Sequence, residues 1–158
     1  MQKRIYIETT IPSAYYTLRT DDVSLDRQKL TRQWWDEYAH LFVLTSSTAV
    51  VEELRRGRTR VTQNRLTLLE GIEIFDPTVE IAQIAQIYIE RLIMPQQPRG
   101  DALHLAIASF HRIDTLLTWN CTHLANPNKF DFIGRINRGL GLTTPKLTTP
   151  LAYLGGTT

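Results

Sequence analysis

The chain has 158 residues, 42% hydrophobic and 22% charged, with a formal net charge of +2. That suits a single domain with a substantial core, and no apolar run approaches the ~20 residues needed to cross a bilayer. A single cysteine, Cys121, excludes an intrachain disulfide and a thiolate metal site; with no secretory signal following Lys3 and Arg4, a reducing, cytoplasmic setting is expected.

Residues 3–7 (KRIYI) predict a short strand ending at Glu8, Thr9 and Thr10. Pro12 favours a helix start, continued over 13–18. Glutamate has little turn preference, so a carboxylate and two hydroxyls at a strand end stand out. A long helix is expected over 24–40, and its Trp34, Trp35 and Tyr38 read as core or interface anchors rather than base-stacking platforms. They offer more aromatic surface than one core stripe requires, which suggests burial of part of this helix in a homodimer or against a partner.

Residues 41–45 (LFVLT) predict a second strand, and Ser46 or Ser47 caps the helix after it, which Gly57 stops. Val50 and Leu54 share a face of that helix. Glu53 lies beside this apolar arc and Glu52 further round, so one of the two is expected to be partly buried, at a cost unless a cation or hydrogen bond compensates. A further helix over 59–69, a strand over 71–75 (GIEIF) and a helix over 79–93 follow, the last ended by Pro95 and Pro98.

Gly100 and Asp101 then open a helix in which Leu103, Ala106, Ile107 and Phe110 recur at helical spacing. Asp101 stands where a helix start leaves unpaired N–H donors. A buried strand (TLLT, 115–118) leads to a polar exit made of Trp119, Asn120 and His123. Beyond it come a turn at 126–128, a helix over 130–140, an edge strand over 146–149 and a short tail from Pro150. Strands alternate with helices and no repeat or linker intervenes. The expected fold is therefore α/β, one domain over 1–158, with a mostly parallel central sheet flanked by helices.

Three carboxylates stand out by position: Glu8 closing the first strand, Glu53 on the helix after the second, and Asp101 opening the helix before the fourth. Parallel neighbours would bring them together above one edge of the sheet, where ligands collect in such folds. Their mutual repulsion would be relieved by a hard divalent cation, Mg²⁺ or Mn²⁺, which oxygen ligands select. Fourteen of the eighteen basic residues are arginine, whose fork matches phosphate geometry. Arg55, Arg56, Arg58, Arg60 and Arg65 lie together with no acid between them, as a polyanion contact or as a solvated face. There is no glycine-rich phosphate loop and no nucleophile elbow. Thr9 and Ser47 either orient a carboxylate or water or cap helices. His104, one turn after Asp101, either hydrogen-bonds near the site or packs in the core.

IYIETT with IPS, SSTAVVEELRRG, and GDALHLAIAS with LLTWN occur in that order over most of the chain. In these pieces the sequence resembles PIN domains, in particular the VapC-like toxin nucleases of type II toxin–antitoxin systems. The resemblance implies a three-layer α/β sandwich, Mg²⁺- or Mn²⁺-dependent cleavage of RNA, homodimers and an inhibitory antitoxin. It places Glu8 where an Asp usually follows the first strand, Glu53 at the acid of the E-L-x-x-G piece, and Asp101 at the acid opening the later helix. Asn120 stands where the family has Asp or Asn, and His123 near where a further Asp is common, so a second metal position is left open. Glu8, Glu53, Asp101 and Asn120 are the expected catalytic residues, the three acids are the expected metal ligands, and Arg55, Arg56, Arg58 and Arg60 are the expected RNA contacts. The alternative is a non-catalytic RNA- or protein-binding module on the same scaffold with a degraded metal site.

Overall fold

A computed structural model describes residues 2–97 and 99–154; Pro98, one of the two expected helix stops, lies outside them. The strands β1 (Arg4–Ile7), β2 (Val43–Ser47), β3 (Glu73–Phe75), β4 (Thr115–Leu117) and β5 (Lys146–Thr148) form one sheet in the order β3-β2-β1-β4-β5, with every pairing parallel. Helices α1 (Thr10–Tyr15) and α2 (Asp22–Glu37) connect β1 to β2, and α3 (Thr48–Arg56) and α4 (Thr62–Thr67) connect β2 to β3. Helices α5 (Val79–Glu90) and α6 (Gly100–Phe110) lead to β4, α7 (Phe130–Gly139) leads to β5, and α8 (Leu151–Leu154) follows.

Chain direction explains the layers. From β1 the sheet grows one way through β2 and β3, and then the chain returns past β1 to add β4 and β5. Right-handed crossovers put the helices of the two runs on opposite faces, in keeping with the packing of α1 on α2 and of α5 on α6. The reversal falls between β1 and β4. At such a switch point the connections leave in opposite directions and open a crevice at the strands' carboxyl ends.

Between the layers Ile5, Ile7, Leu116 and Leu117 are fully buried with Leu105 and Ile107 of α6. Trp34 is also fully buried, stacked on Phe42 at 6.3 Å between ring centroids, while Trp35 and Tyr38 are half-buried beside it. The aromatic surplus of α2 is thus largely taken up inside the chain. No helix among the described residues is long and apolar enough to cross a membrane.

The expected helix over 59–69 is shorter, because Thr59 and Thr62 hydrogen-bond each other and delay its start. Arg58 and Arg60 consequently lie outside any helix. Gly57 stays in right-handed backbone, and Arg58, at φ 41°, makes the left-handed step that ends α3. The first helix starts earlier than Pro12, which sits in its first turn, where a missing N–H breaks no bond.

Candidate active site

The switch point carries the polar cluster. Glu8 is the first residue beyond β1, and its N–H donates to the Leu117 carbonyl at 3.2 Å, which pins it beside the end of β4. Its side chain is only 3% exposed. Glu8 Oε1 accepts from the Thr10 hydroxyl at 2.5 Å, the Thr118 hydroxyl at 2.6 Å and the Thr10 N–H at 3.1 Å. Three donors on one oxygen compensate for the buried charge.

Ser47 ends β2 and caps α3, accepting from the Val50 N–H at 3.3 Å. The cap sets the rotation of α3 so that Val50 and Leu54 enter the core and Glu53 turns to the cleft, while Glu52 stays exposed. Glu53 Oε1 accepts from Thr9 at 2.9 Å and from His104 Nε2 at 2.5 Å. Burial disfavours its charge, but the His104 and Thr9 hydrogen bonds outweigh burial and hold the carboxyl below its ordinary pKa.

His104 is fully buried, and it does both things the sequence allowed: it packs in the core and it supports a carboxylate. Its Nδ1 lies 2.7 Å from the Tyr6 hydroxyl, which lies 2.7 Å from Ser47 Oγ. With the ring hydrogen on Nε2 every donor finds an acceptor: Val50 N–H to Ser47, Ser47 to Tyr6, Tyr6 to His104 Nδ1, and Nε2–H to Glu53. This is the tautomer that satisfies the whole chain of groups. Burial lowers the His104 pKa, but the Glu53 hydrogen bond and the charges of Glu8, Glu53 and Asp101 raise it further. All three carboxylates therefore act on one ring.

Asp101 lies in the first turn of α6 and is 6% exposed. Oδ1 accepts from Asn120 Nδ2 at 3.0 Å, and Asn120 Oδ1 accepts from the His123 N–H at 3.0 Å. Asp101 Oδ2 is buried and has no hydrogen-bond partner among the described residues. Burial pushes its carboxyl up, with the Glu53 charge adding to this against the Asn120 hydrogen bond and the two histidines. An orphaned carboxylate oxygen among other acids is a strained arrangement that a cation would relieve. Among the described residues, however, no three Asp, Glu, His or Cys side chains stand close enough together to hold a metal ion by themselves.

Gly100 explains how Glu53 and α6 come so close. A Cβ there would lie 2.9 Å from Glu53 Oε2. Gly100→Ala should therefore push the tethered carboxylate aside while improving helix propensity. If the site is catalytic, activity should fall about 10- to 100-fold, the scale of ångström misplacements, with melting temperature unchanged or raised. Equal turnover by both proteins would show that the position of Glu53 does not matter.

Of the arginine patch, Arg55, Arg56, Arg58 and Arg60 are exposed. Arg65 is different: its guanidinium donates to the carbonyls of Tyr16 and Ser13, tying α4 to α1. A hollow of about 320 Å³ opens beside Glu53 and Gly100 and is flanked by Arg56 and Arg99. The sequence does not point to Arg99, Tyr6 or Thr118, whereas Thr10 stands out there as one of the two hydroxyls that follow Glu8. Lys129, whose Nζ donates to the Ile93 carbonyl at 2.8 Å, feels the Asp101 charge and was not expected either.

The sequence matches no model of a known protein family and no curated protein. The structure does resemble solved ones. VapC20 of Mycobacterium tuberculosis, a toxin that cleaves the sarcin-ricin loop, matches at TM-score 0.59 and 16% identity, covering 75% of this chain and 92% of that one. A toxin–antitoxin complex from Klebsiella pneumoniae matches at 0.57 and 18%, covering 78% and 92%. VapBC2 from Rickettsia felis, bound to a DNA fragment from its promoter, matches at 0.51 and 17%, covering 92% and 96%. The chain has the PIN-like α/β fold of the VapC toxins.

Proposed function

We propose that this protein is a metal-dependent endoribonuclease that hydrolyses RNA phosphodiester bonds, acting as the toxin of a toxin–antitoxin pair. The observation that carries the reading is Asp101 Oδ2, a buried carboxylate oxygen with no partner among the described residues, within the electrostatic reach of Glu53 at the sheet's switch point. The fold of the VapC toxins supports it.

The residues fit a hard cation, because the donors are oxygens and one of them is orphaned. Asp101, Glu53 and Glu8 would hold Mg²⁺ or Mn²⁺ in part through its waters, since these ions commonly take only one or two carboxylates directly. When bound, such an ion lowers the pKa of a water and neutralises phosphate charge. The chain's own groups do the rest. Asn120 orients Asp101, while His104 and Thr9 orient Glu53 and keep it ionised. Thr10 and Thr118 hold Glu8, and Arg56 and Arg99 draw the RNA backbone to the cleft. A homodimer and a small antitoxin are part of the proposal, carried by the resemblance in sequence and fold.

The test is cleavage of a mixed RNA pool by the purified chain with Mn²⁺ and after EDTA. Cleavage that needs the metal supports the nuclease; RNA binding without metal-dependent cleavage would favour the non-catalytic module. A second expectation concerns the patch. Replacing Arg55 and Arg56 with Gln should weaken RNA binding about tenfold irrespective of sequence and flatten its salt dependence, since fewer counterions are released. An unchanged salt slope would return the patch to a solubilising surface.

A further inference from the structure

Beside the acidic cluster lies a second hollow of about 280 Å³, walled by Thr10, Ser13, Thr17, Arg19, Arg27 and Trp119 and sharing no residue with the Arg56–Arg99 hollow. We propose that it is a subsite for a backbone phosphate of the RNA strand next to the scissile bond, an inference that rests on the nuclease reading.

The hollow is continuous with the site through two shared residues. The Thr10 hydroxyl donates to Glu8 and accepts from the Trp119 N–H at 2.8 Å, and Trp119 directly precedes Asn120. A group bound here is therefore a near neighbour of whatever the carboxylates engage. The two arginines are available for an anion. Among the described residues neither guanidinium forms an ion pair or a side-chain hydrogen bond.

Arg27 is also held in place. Its guanidinium carbon lies 5.2 Å from the centroid of the Trp119 ring, and the indole N–H of Trp119 donates to Thr31 Oγ1 at 2.8 Å. The cation–π contact restrains the side chain and leaves its N–H groups for an acceptor, so less side-chain freedom is lost on binding. Arg19 stands on the exposed rim. Thr17 Oγ1 accepts from the Arg19 N–H at 3.1 Å, which leaves the Thr17 hydroxyl hydrogen free to donate. Asp21, the cap residue before α2, accepts from the Ser24 N–H at 3.1 Å and its charge is felt by Arg19, though the two form no ion pair among the described residues. Two unpaired guanidiniums and small hydroxyls match phosphate oxygens. The Arg56–Arg99 hollow borders Glu53 and this one reaches Glu8 through Thr10, so a strand that touches both passes the acids.

The experiment is fluorescence anisotropy of a labelled single-stranded RNA oligonucleotide with the full chain in EDTA, so that no cleavage intervenes. The probe is titrated with wild type, the double variant Arg19→Gln/Arg27→Gln and the remote control Arg138→Gln on α7, with folding checked by thermal melting. The double variant should bind about tenfold more weakly, and its log–log salt slope should flatten by about 0.7 for each phosphate that is no longer neutralised. The control should follow wild type. Unchanged affinity and slope in the double variant would overturn the subsite and leave the nuclease reading standing, whereas no RNA binding by wild type would overturn both. AMP serves as competitor: weak displacement supports a strand phosphate, and displacement at concentrations comparable to the RNA would overturn it in favour of a free nucleotide.

Discussion

Asp101→Asn should abolish RNA cleavage while leaving the protein folded. Asparagine keeps the shape of the side chain and an oxygen for the Asn120 Nδ2 donor, now 3.0 Å from Oδ1. What it removes is the charge at the buried, unpartnered Oδ2. If that oxygen holds a divalent cation, cleavage should fall by about 10³-fold or more, roughly 4 kcal/mol of transition-state stabilisation. Folding should not suffer, because burial already disfavours the Asp101 charge and pushes its carboxyl up. The melting temperature of the metal-free variant is expected to equal or exceed that of wild type. Glu52→Gln is the companion: Glu52 is exposed on the rim of the Arg56–Arg99 hollow, while Thr9 and His104 donate to Glu53 and not to it, so cleavage should persist. Cleavage of one RNA pool in Mn²⁺ by the three proteins decides the matter. Equal residual activity in wild type and Asp101→Asn would mean that the cleavage does not come from this site.

The geometry also shows which information the sequence carries locally. The parallel α/β architecture was legible because each element declares itself within a few residues, by periodicity and by its caps. The turning of Glu53 toward the cleft, rather than Glu52, was legible for the same reason, since Val50 and Leu54 fix the rotation of one helix. What the sequence hid are contacts between distant segments. Thr118 meets Glu8 across 110 positions, and Tyr6 meets His104 across 98. No local spacing encodes such pairs; the first follows from β1 and β4 being neighbours at the switch point, the second from α6 lying against β1. Arg65 teaches the converse. It looks like its neighbours in a basic run, yet its guanidinium is spent on the carbonyls of Tyr16 and Ser13. Charge counts along the chain cannot separate an arginine that ties two helices from one that faces solvent.

The buried relay from Ser47 through Tyr6 and His104 to Glu53 leads to the second large effect. His104→Ala removes a fully buried ring. It leaves a cavity and strips the Tyr6 hydroxyl and Glu53 Oε1 of partners at 2.7 and 2.5 Å. Cavity and unsatisfied-group terms together predict a loss of about 3 to 5 kcal/mol in denaturant unfolding. Tyr6→Phe keeps the ring volume and deletes one hydroxyl, so about 1 to 3 kcal/mol is expected. A structural role alone would make these losses ordinary, and the double variant separates the cases. In a connected chain, once His104 is gone the Tyr6 hydroxyl has lost its acceptor, so removing it costs little more. The double loss should then fall short of the sum of the single losses by about 1 kcal/mol or more. Losses that add within about 0.3 kcal/mol would show independent groups rather than a relay. Activity supplies a separate readout. Glu53 keeps the Thr9 hydroxyl at 2.9 Å when the imidazole is lost, so the carboxylate becomes mobile rather than absent. His104→Gln, which can still donate toward Glu53, should recover part of the cleavage that His104→Ala loses, assayed well below both melting temperatures. Equal cleavage by the Gln and Ala variants would mean that the ring fills space in α6 and does not orient Glu53.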